Sequence, residues 1–239
     1  ETVLYVDKKL YAEKNDGSII VFLPGVAEID KCCRNLRSLG GADFVVLPLH
    51  SALSPDEQKK VFNKYKNKRK IVVATNIAET SITIDDCVVT IDTGRAKSMF
   101  YSAKDNTTRL VENFISKAES KQRKGRAGRV RSGYSYKLYS KDIYENTMID
   151  LPIPEIRRVA LESLYLNVKA MNIKDVIGFL STGLDPPPLT AMKKAESLLT
   201  TGGLLSEVDQ SLTQLGKYIS MMPVMDAKHG KILIYSILF

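Results

Sequence analysis

The sequence predicts an α/β fold in which a parallel sheet flanked by helices is followed by a small, mostly helical domain, and three observations predict it. Residues 18–23 (SIIVFL), 44–49, 70–74 (KIVVA) and 88–91 are short, uninterrupted apolar runs rich in β-branched side chains, as strands covered on both faces are. Stretches with apolar residues at helical spacing separate these runs, and such alternation of strand and helix makes a sheet parallel. Beyond residue 152 the strand-like runs give way to helical patterns.

In chain order, Pro24-Gly25 ends the first run, and Val26, Ile29, Cys33, Leu36 and Leu39 then recur at helical spacing until Gly40-Gly41 stops the helix. After the 44–49 strand, Ser54-Pro55-Asp56-Glu57 supplies an N-cap, a proline at the first helical position and a capping glutamate, opening a helix through Val61, Phe62 and Tyr65. The 70–74 strand leads into Thr75-Asn76-Ile77-Ala78-Glu79-Thr80-Ser81-Ile82-Thr83-Ile84-Asp85, with more hydroxyl, amide and carboxylate groups than a plain turn needs. It reads either as a long capped turn or as a loop that touches phosphates through hydroxyl and N–H groups and a ribose through a carboxylate. In parallel sheets the ligand crevice lies at the carboxyl ends of the strands.

Residues 94–115 read as a hairpin with its polar centre, 103–106, at the turn. Ser116-Lys117-Ala118-Glu119 is a capping box that opens a helix, and 134–138 reads as a last strand. Pro152 and Pro154 then punctuate the chain. Helices are expected over 155–169, 174–180 and, after Pro186-Pro187-Pro188, 189–200; Leu204-Leu205 and 212–216 look like the short strands of a wing. Three helices and a hairpin suggest a winged helix. It carries no basic recognition helix, since 189–200 holds only Lys193 and Lys194, so a packing role is expected of it. The abrupt first residue and the apolar run 232–239 make the chain read as a fragment.

Composition narrows the function. With 35 basic and 27 acidic residues the chain carries a net charge of +8, which favours a polyanionic partner, nucleic acid before an anionic membrane surface. Cys32, Cys33 and Cys87 have no CxxC spacing and no nearby histidine; they are read as reduced, buried thiols of an intracellular protein, with no metal site. Neither a membrane span nor a signal pattern is evident.

The densest chemistry lies at Gln122-Arg123-Lys124-Gly125-Arg126-Ala127-Gly128-Arg129. At ~100° per residue, Gln122, Arg126 and Arg129 share one sector of the helix while Arg123 and Lys124 point elsewhere. Arginine forks match phosphate oxygens bidentately, and an amide can orient a water without competing for its protons. Spacing alone leaves two readings open, a phosphate sensor or a solvated basic face. The run Lys59-Lys60, Lys64, Lys66 and Lys68-Arg69-Lys70 reads more simply as a solvated face.

QRKGRAGR resembles the sixth motif of superfamily 2 helicases, and VVATNIAETSITID resembles the fifth motif of their DEAH/RHA-box ATP-dependent RNA helicases. FLPG at 22–25 is similar to the fourth motif of that family and LHSAL at 49–53 to the segment after it, in the same order, over roughly residues 18–235. The resemblance implies a second RecA-like domain over 1–152 with an inserted β-hairpin at about 96–114, a winged helix at 153–220, and the start of a further helical domain at 221–239. It implies that Arg126 and Arg129 are arginine fingers and that Gln122 positions the attacking water. Ser81 would sense the γ-phosphate, Asp85 would bond the ribose, and Phe62, otherwise a core aromatic, would stack on the base. Thr75 and Asn76, with His50 and Ser51 as weaker candidates, would contact RNA phosphates, and the hairpin would separate RNA strands.

The implied ligands are ATP with Mg2+, the metal held mainly by a preceding domain, because neither GxxxxGK[ST] nor DEAH occurs in this chain. The implied partner is single-stranded or structured RNA, with an activating protein as a further candidate; no membrane is involved, and a monomer in the nucleus or cytoplasm is expected. By itself the chain is expected to hydrolyse ATP negligibly. The alternative is a non-catalytic RNA-binding scaffold that kept the fold.

Overall fold

A computed structural model of the chain describes residues 1–13, 15–80, 82–102, 105, 107–129, 132–222 and 226–238. It divides into two compact units, one of residues 1–98 and 111–152 and the other of residues 99–110 and 153–239.

The first unit is built on five parallel strands. They are β1 (Ser18–Phe22), β2 (Phe44–Leu49), β3 (Arg69–Ala74), β4 (Cys87–Asp92) and β7 (Tyr134–Lys137), in the order β2-β3-β1-β4-β7. The central strand β1 pairs with β3 through Ile19 opposite Ile71 and with β4 through Ile19 opposite Val89. Every residue of β1 and β4 is buried, which explains why their sequences do not alternate polar and apolar. Ile19, Val21, Val46, Ile71 and Val73 point to one face, where Ile29, Cys33 and Leu36 of α2 (Val26–Gly40) cover them. Ile20, Phe22, Leu49, Val72 and Ala74 point to the other.

A helix that the sequence reading left unassigned, α1 (Thr2–Ala12), adds Val3, Val6 and Leu10 to the α2 face. The helix expected over 54–65 is shorter. The capping box at Ser54 forms as read, but α3 (Pro55–Lys59) passes into a 3₁₀ turn, Lys60–Phe62, and ends there. The expected hairpin is present as β5 (Arg95–Ser102) and β6 (Thr107–Phe114); positions 103, 104 and 106 of its expected turn lie outside the described residues.

In the second unit, α6 (Glu162–Ala170), α7 (Val176–Ser181), α8 (Leu189–Thr201), α9 (Gln214–Ser220) and α10 (Ala227–Leu238) surround Leu161, Tyr165, Leu166, Met192, Leu199 and Ile219. Two expectations are corrected here. The helix expected from 155 begins only at Glu162, after a 3₁₀ turn at Glu155–Arg157. The wing is reduced to one antiparallel bridge, Leu205 opposite Leu212. The second expected strand gives way because Thr213 caps α9, its hydroxyl accepting a hydrogen bond from the Gly216 N–H at 3.0 Å.

Candidate functional site

Polar residues gather where β2 and β3 leave the sheet. Leu49 lies opposite Ala74, and the Thr75 N–H donates to the Leu49 carbonyl at 3.1 Å, so His50-Ser51 and Thr75-Asn76 emerge side by side. Ser51 and Asn76 are exposed and Thr75 is half-buried. His50 is 7% exposed, and its Nδ1 has no hydrogen-bond partner among the described residues. A buried polar atom left in this way costs ~1–3 kcal/mol unless a ligand or water satisfies it. The short helix α4 (Ile77–Thr80) follows directly, anchored by Ala78 N–H to Thr75 O and Glu79 N–H to Asn76 O.

The helix α5 (Lys117–Gly125) opens with the expected capping box, in which Ser116 and Glu119 exchange bonds with each other's backbone N–H. Its α geometry stops at Gly125, and Arg126–Gly128 form a 3₁₀ turn, so the face shared by Gln122, Arg126 and Arg129 on an ideal helix is not maintained. Gln122 and Arg129 are exposed, whereas Arg126 turns inward. The Arg126 guanidinium donates to the backbone oxygens of Glu79 and Ile82, and burial, with Arg129 nearby, lowers its pKa. Arg129 donates to the Thr83 hydroxyl. The two arginines thus converge on the segment 79–83, and the exposed Asp85 follows two residues later. Ser81 lies outside the described residues.

Arg123, set aside in the sequence reading, proves to be fully buried. Its Nε donates to Glu79 Oε2 at 3.1 Å and its Nη1 to Asp92 Oδ1 at 2.7 Å, over the Phe22 ring. Two carboxylates share one cation. Burial accordingly pushes the Glu79 carboxyl up to about 7, against the pull of Arg123. Tyr139, itself raised to about 12 by burial, joins through Asp92 Oδ2 and the Ser120 hydroxyl. The turn after β4 permits this contact only with glycine: Gly94 has φ +71°, and a Cβ there would stand 2.5 Å from the Tyr139 ring. The available sequence signal was an aspartate ending an otherwise apolar strand, with an arginine on the far side of α5.

Phe62 is 52% exposed, while its neighbour Val61 fills the core, so Phe62 is not a core aromatic. Phe62 precedes β3 and Asp85 precedes β4, near the amino ends of those strands. Phe62 and Asp85 thus lie away from the carboxyl ends, where Thr75 and Asn76 leave the sheet. Residues 75–86 run from the carboxyl end of β3 to the amino end of β4, with the RNA candidates at the start and the nucleotide candidate Asp85 at the end. Lys59, Lys60, Lys64, Lys66 and Lys68 are exposed, as a solvated face requires, and Lys70 alone of the run is buried.

The family described as "Helicase conserved C-terminal domain" matches residues 2–131. A Saccharomyces cerevisiae protein, YLR419W, whose assignment as an ATP-dependent RNA helicase is itself provisional, is 70% identical over all of this chain. The human ATP-dependent RNA helicase DHX29 is 41% identical, also over the whole chain. The chain spans 17% and 18% of the lengths of these two relatives. Crystal structures of the Escherichia coli DExH-box NTPase HrpB, also described as a DEAH/RHA helicase, superpose with TM-scores of 0.80 and 0.83 at 31% identity, covering 96% of this chain and 28–29% of theirs. Among the described residues, no helix is long and apolar enough to cross a membrane, and no cluster of His, Cys, Asp or Glu could hold a metal ion.

Proposed function

The chain belongs to the DEAH/RHA-box helicases of superfamily 2, as part of their C-terminal helicase region, and from that premise we propose that it couples ATP hydrolysis to movement along single-stranded RNA by supplying the arginine side of the nucleotide site and half of the RNA groove. One observation carries this reading. Arg126 and Arg129 both bond to the stretch 79–83, which lies between the RNA candidates Thr75 and Asn76 and the ribose candidate Asp85. The groups meant for phosphate, ribose and RNA are thereby joined through a few residues of backbone.

In this reading Asp85 accepts hydrogen bonds from ribose hydroxyls, Phe62 offers its exposed ring to the base, and Arg129 meets the terminal phosphate. Arg126 must first leave two neutral carbonyl acceptors for a phosphate oxygen. A phosphate oxygen adds opposite charge and a bidentate fit to the guanidinium fork, so the exchange favours the phosphate. Gln122, exposed one turn earlier, orients the attacking water. Mg2+ entering with ATP would supply charge neutralisation at the phosphates and would be held mainly by a preceding domain. His50 offers its unpaired Nδ1 to an RNA phosphate alongside Ser51, Thr75 and Asn76. Contacts to phosphates carry no sequence preference, and binding to a single strand should weaken by ~0.7 log units per log unit of salt for each phosphate neutralised.

The test is RNA-stimulated ATPase of the full-length protein against its Arg126→Ala variant. Loss of an arginine finger lowers turnover ~10³–10⁵-fold, and nucleotide binding should survive. The inward position of Arg126 favours a second reading, a non-catalytic RNA-binding scaffold. It would prevail if the parent protein hydrolyses no ATP with any RNA.

A further inference from the structure

Lys70 is 4% exposed on the second position of β3, and its ammonium group is saturated. Nζ donates to the Val61 carbonyl at 2.7 Å and the Asn63 carbonyl at 3.1 Å, and it pairs with Asp86 Oδ1 at 2.9 Å. Three protons meet three acceptors, so none remains for a ligand. The two carbonyls belong to the residues on either side of Phe62, and Asp86 follows Asp85. Ser18 fixes the same carboxylate, its hydroxyl donating to Oδ1 at 3.0 Å while its N–H donates to the Asp86 carbonyl at 2.8 Å.

We infer that Lys70 is a positioning residue that sets the spacing between the base-stacking ring of Phe62 and the ribose-binding carboxylate of Asp85. The inference rests on the nucleotide site proposed above. Phe62 needs such an anchor, because it ends a 3₁₀ turn and is followed by residues 63–68, which have no regular structure. Its own side chain contributes no core packing. Val61 in the core and the Lys70 ammonium are what hold the ring between those two segments. Through Asp86 the same ammonium reaches the turn bearing Asp85, so one side chain references both contacts to a nucleoside against the end of the sheet.

The test compares, in the full-length protein, Kd for ADP with Kd for a base-free ribose polyphosphate, across the parent, Phe62→Ala, Lys70→Met and the double variant. Base stacking on an aromatic ring amounts to ~1–3 kcal/mol, which is roughly 5- to 150-fold in Kd. Lys70→Met should weaken ADP binding about tenfold or more and the base-free ligand by a clearly smaller factor, since that ligand feels only the displaced ribose contact. In the Phe62→Ala background it should add only that smaller factor, since its effect through the ring is already lost. Asp86→Asn keeps an acceptor but loses the charge, and it should shift ADP binding in the same direction by a smaller factor, readable even if Lys70→Met folds poorly. Equal weakening of both ligands, or of neither, overturns the inference. If Phe62→Ala itself leaves the preference for ADP intact, it is the stacking role of Phe62 that fails instead.

Discussion

Two buried cations each clamp a different part of the first unit, and the charges around them do not balance alike. Arg123 sits between two carboxylates, Glu79 and Asp92, and joins α5 to α4 and to the end of β4. Lys70 faces one carboxylate and two neutral carbonyls, and joins the 61–63 turn to the turn before β4. With both carboxyls ionised, one negative charge is left over around Arg123; around Lys70 none is. A buried cation alone therefore says little about how its region behaves, and the anions counted around it decide what its removal and a change of pH will do.

Arg123→Met should have the largest effect on stability. It leaves two buried carboxylates without a cation, and losing one partner of a buried pair costs ~3–5 kcal/mol, read as a drop in unfolding free energy in urea. Lys70→Met should cost less, ~1–3 kcal/mol, mainly because the Val61 carbonyl loses its donor. Equal losses would remove the distinction drawn between the two clamps.

Acidification sharpens it further. The folded-state pKa of Glu79, about 7, lies above its ordinary value of 4.5. The stabilising contribution of this group is then full below about 4.5 and is lost as pH rises through about 7. Glu79→Gln should flatten the change in Tm between pH 5 and 7.5 relative to the parent. At the small end, Lys59 pairs with Asp56 across side chains that are 70% and 91% exposed, and Asp56→Ala should leave the urea midpoint unchanged within error.

Much of the sheet could be read from the chain, because strands covered on both faces are apolar over most of their length, as IIVF of β1 and IVVA of β3 are. The caps at Ser54 and Ser116 were equally legible, since both bonds of a capping box are local. What escaped the reading depends on tertiary context. Helix α1 keeps Tyr5 and Tyr11 on its exposed side, which blurs an otherwise regular Val3, Val6, Leu10 stripe. The early end of the helix expected to reach Tyr65 is held by Lys70 of β3, a bond that forms only once the strand has joined the sheet. Within the site, helical arithmetic carried past Gly125 placed Gln122, Arg126 and Arg129 on one face, although the backbone had already tightened. Arg123 escaped notice because both of its carboxylate partners lie more than thirty positions upstream.

The second unit is assembled from two stretches of chain. Residues 99–110, the far part of the β5–β6 hairpin, group with residues 153–239, where the Tyr101 N–H donates to the Arg158 carbonyl at 2.8 Å and Arg158 in turn donates to the Met99 carbonyl. A gene cut between codons 152 and 153 would therefore carry off an incomplete module and break both of those hydrogen bonds. Such a unit cannot be shuffled between proteins as a single cassette. It must be inherited together with the sheet whose loop completes it, and chimeras of related proteins should be joined so that both stretches come from one parent.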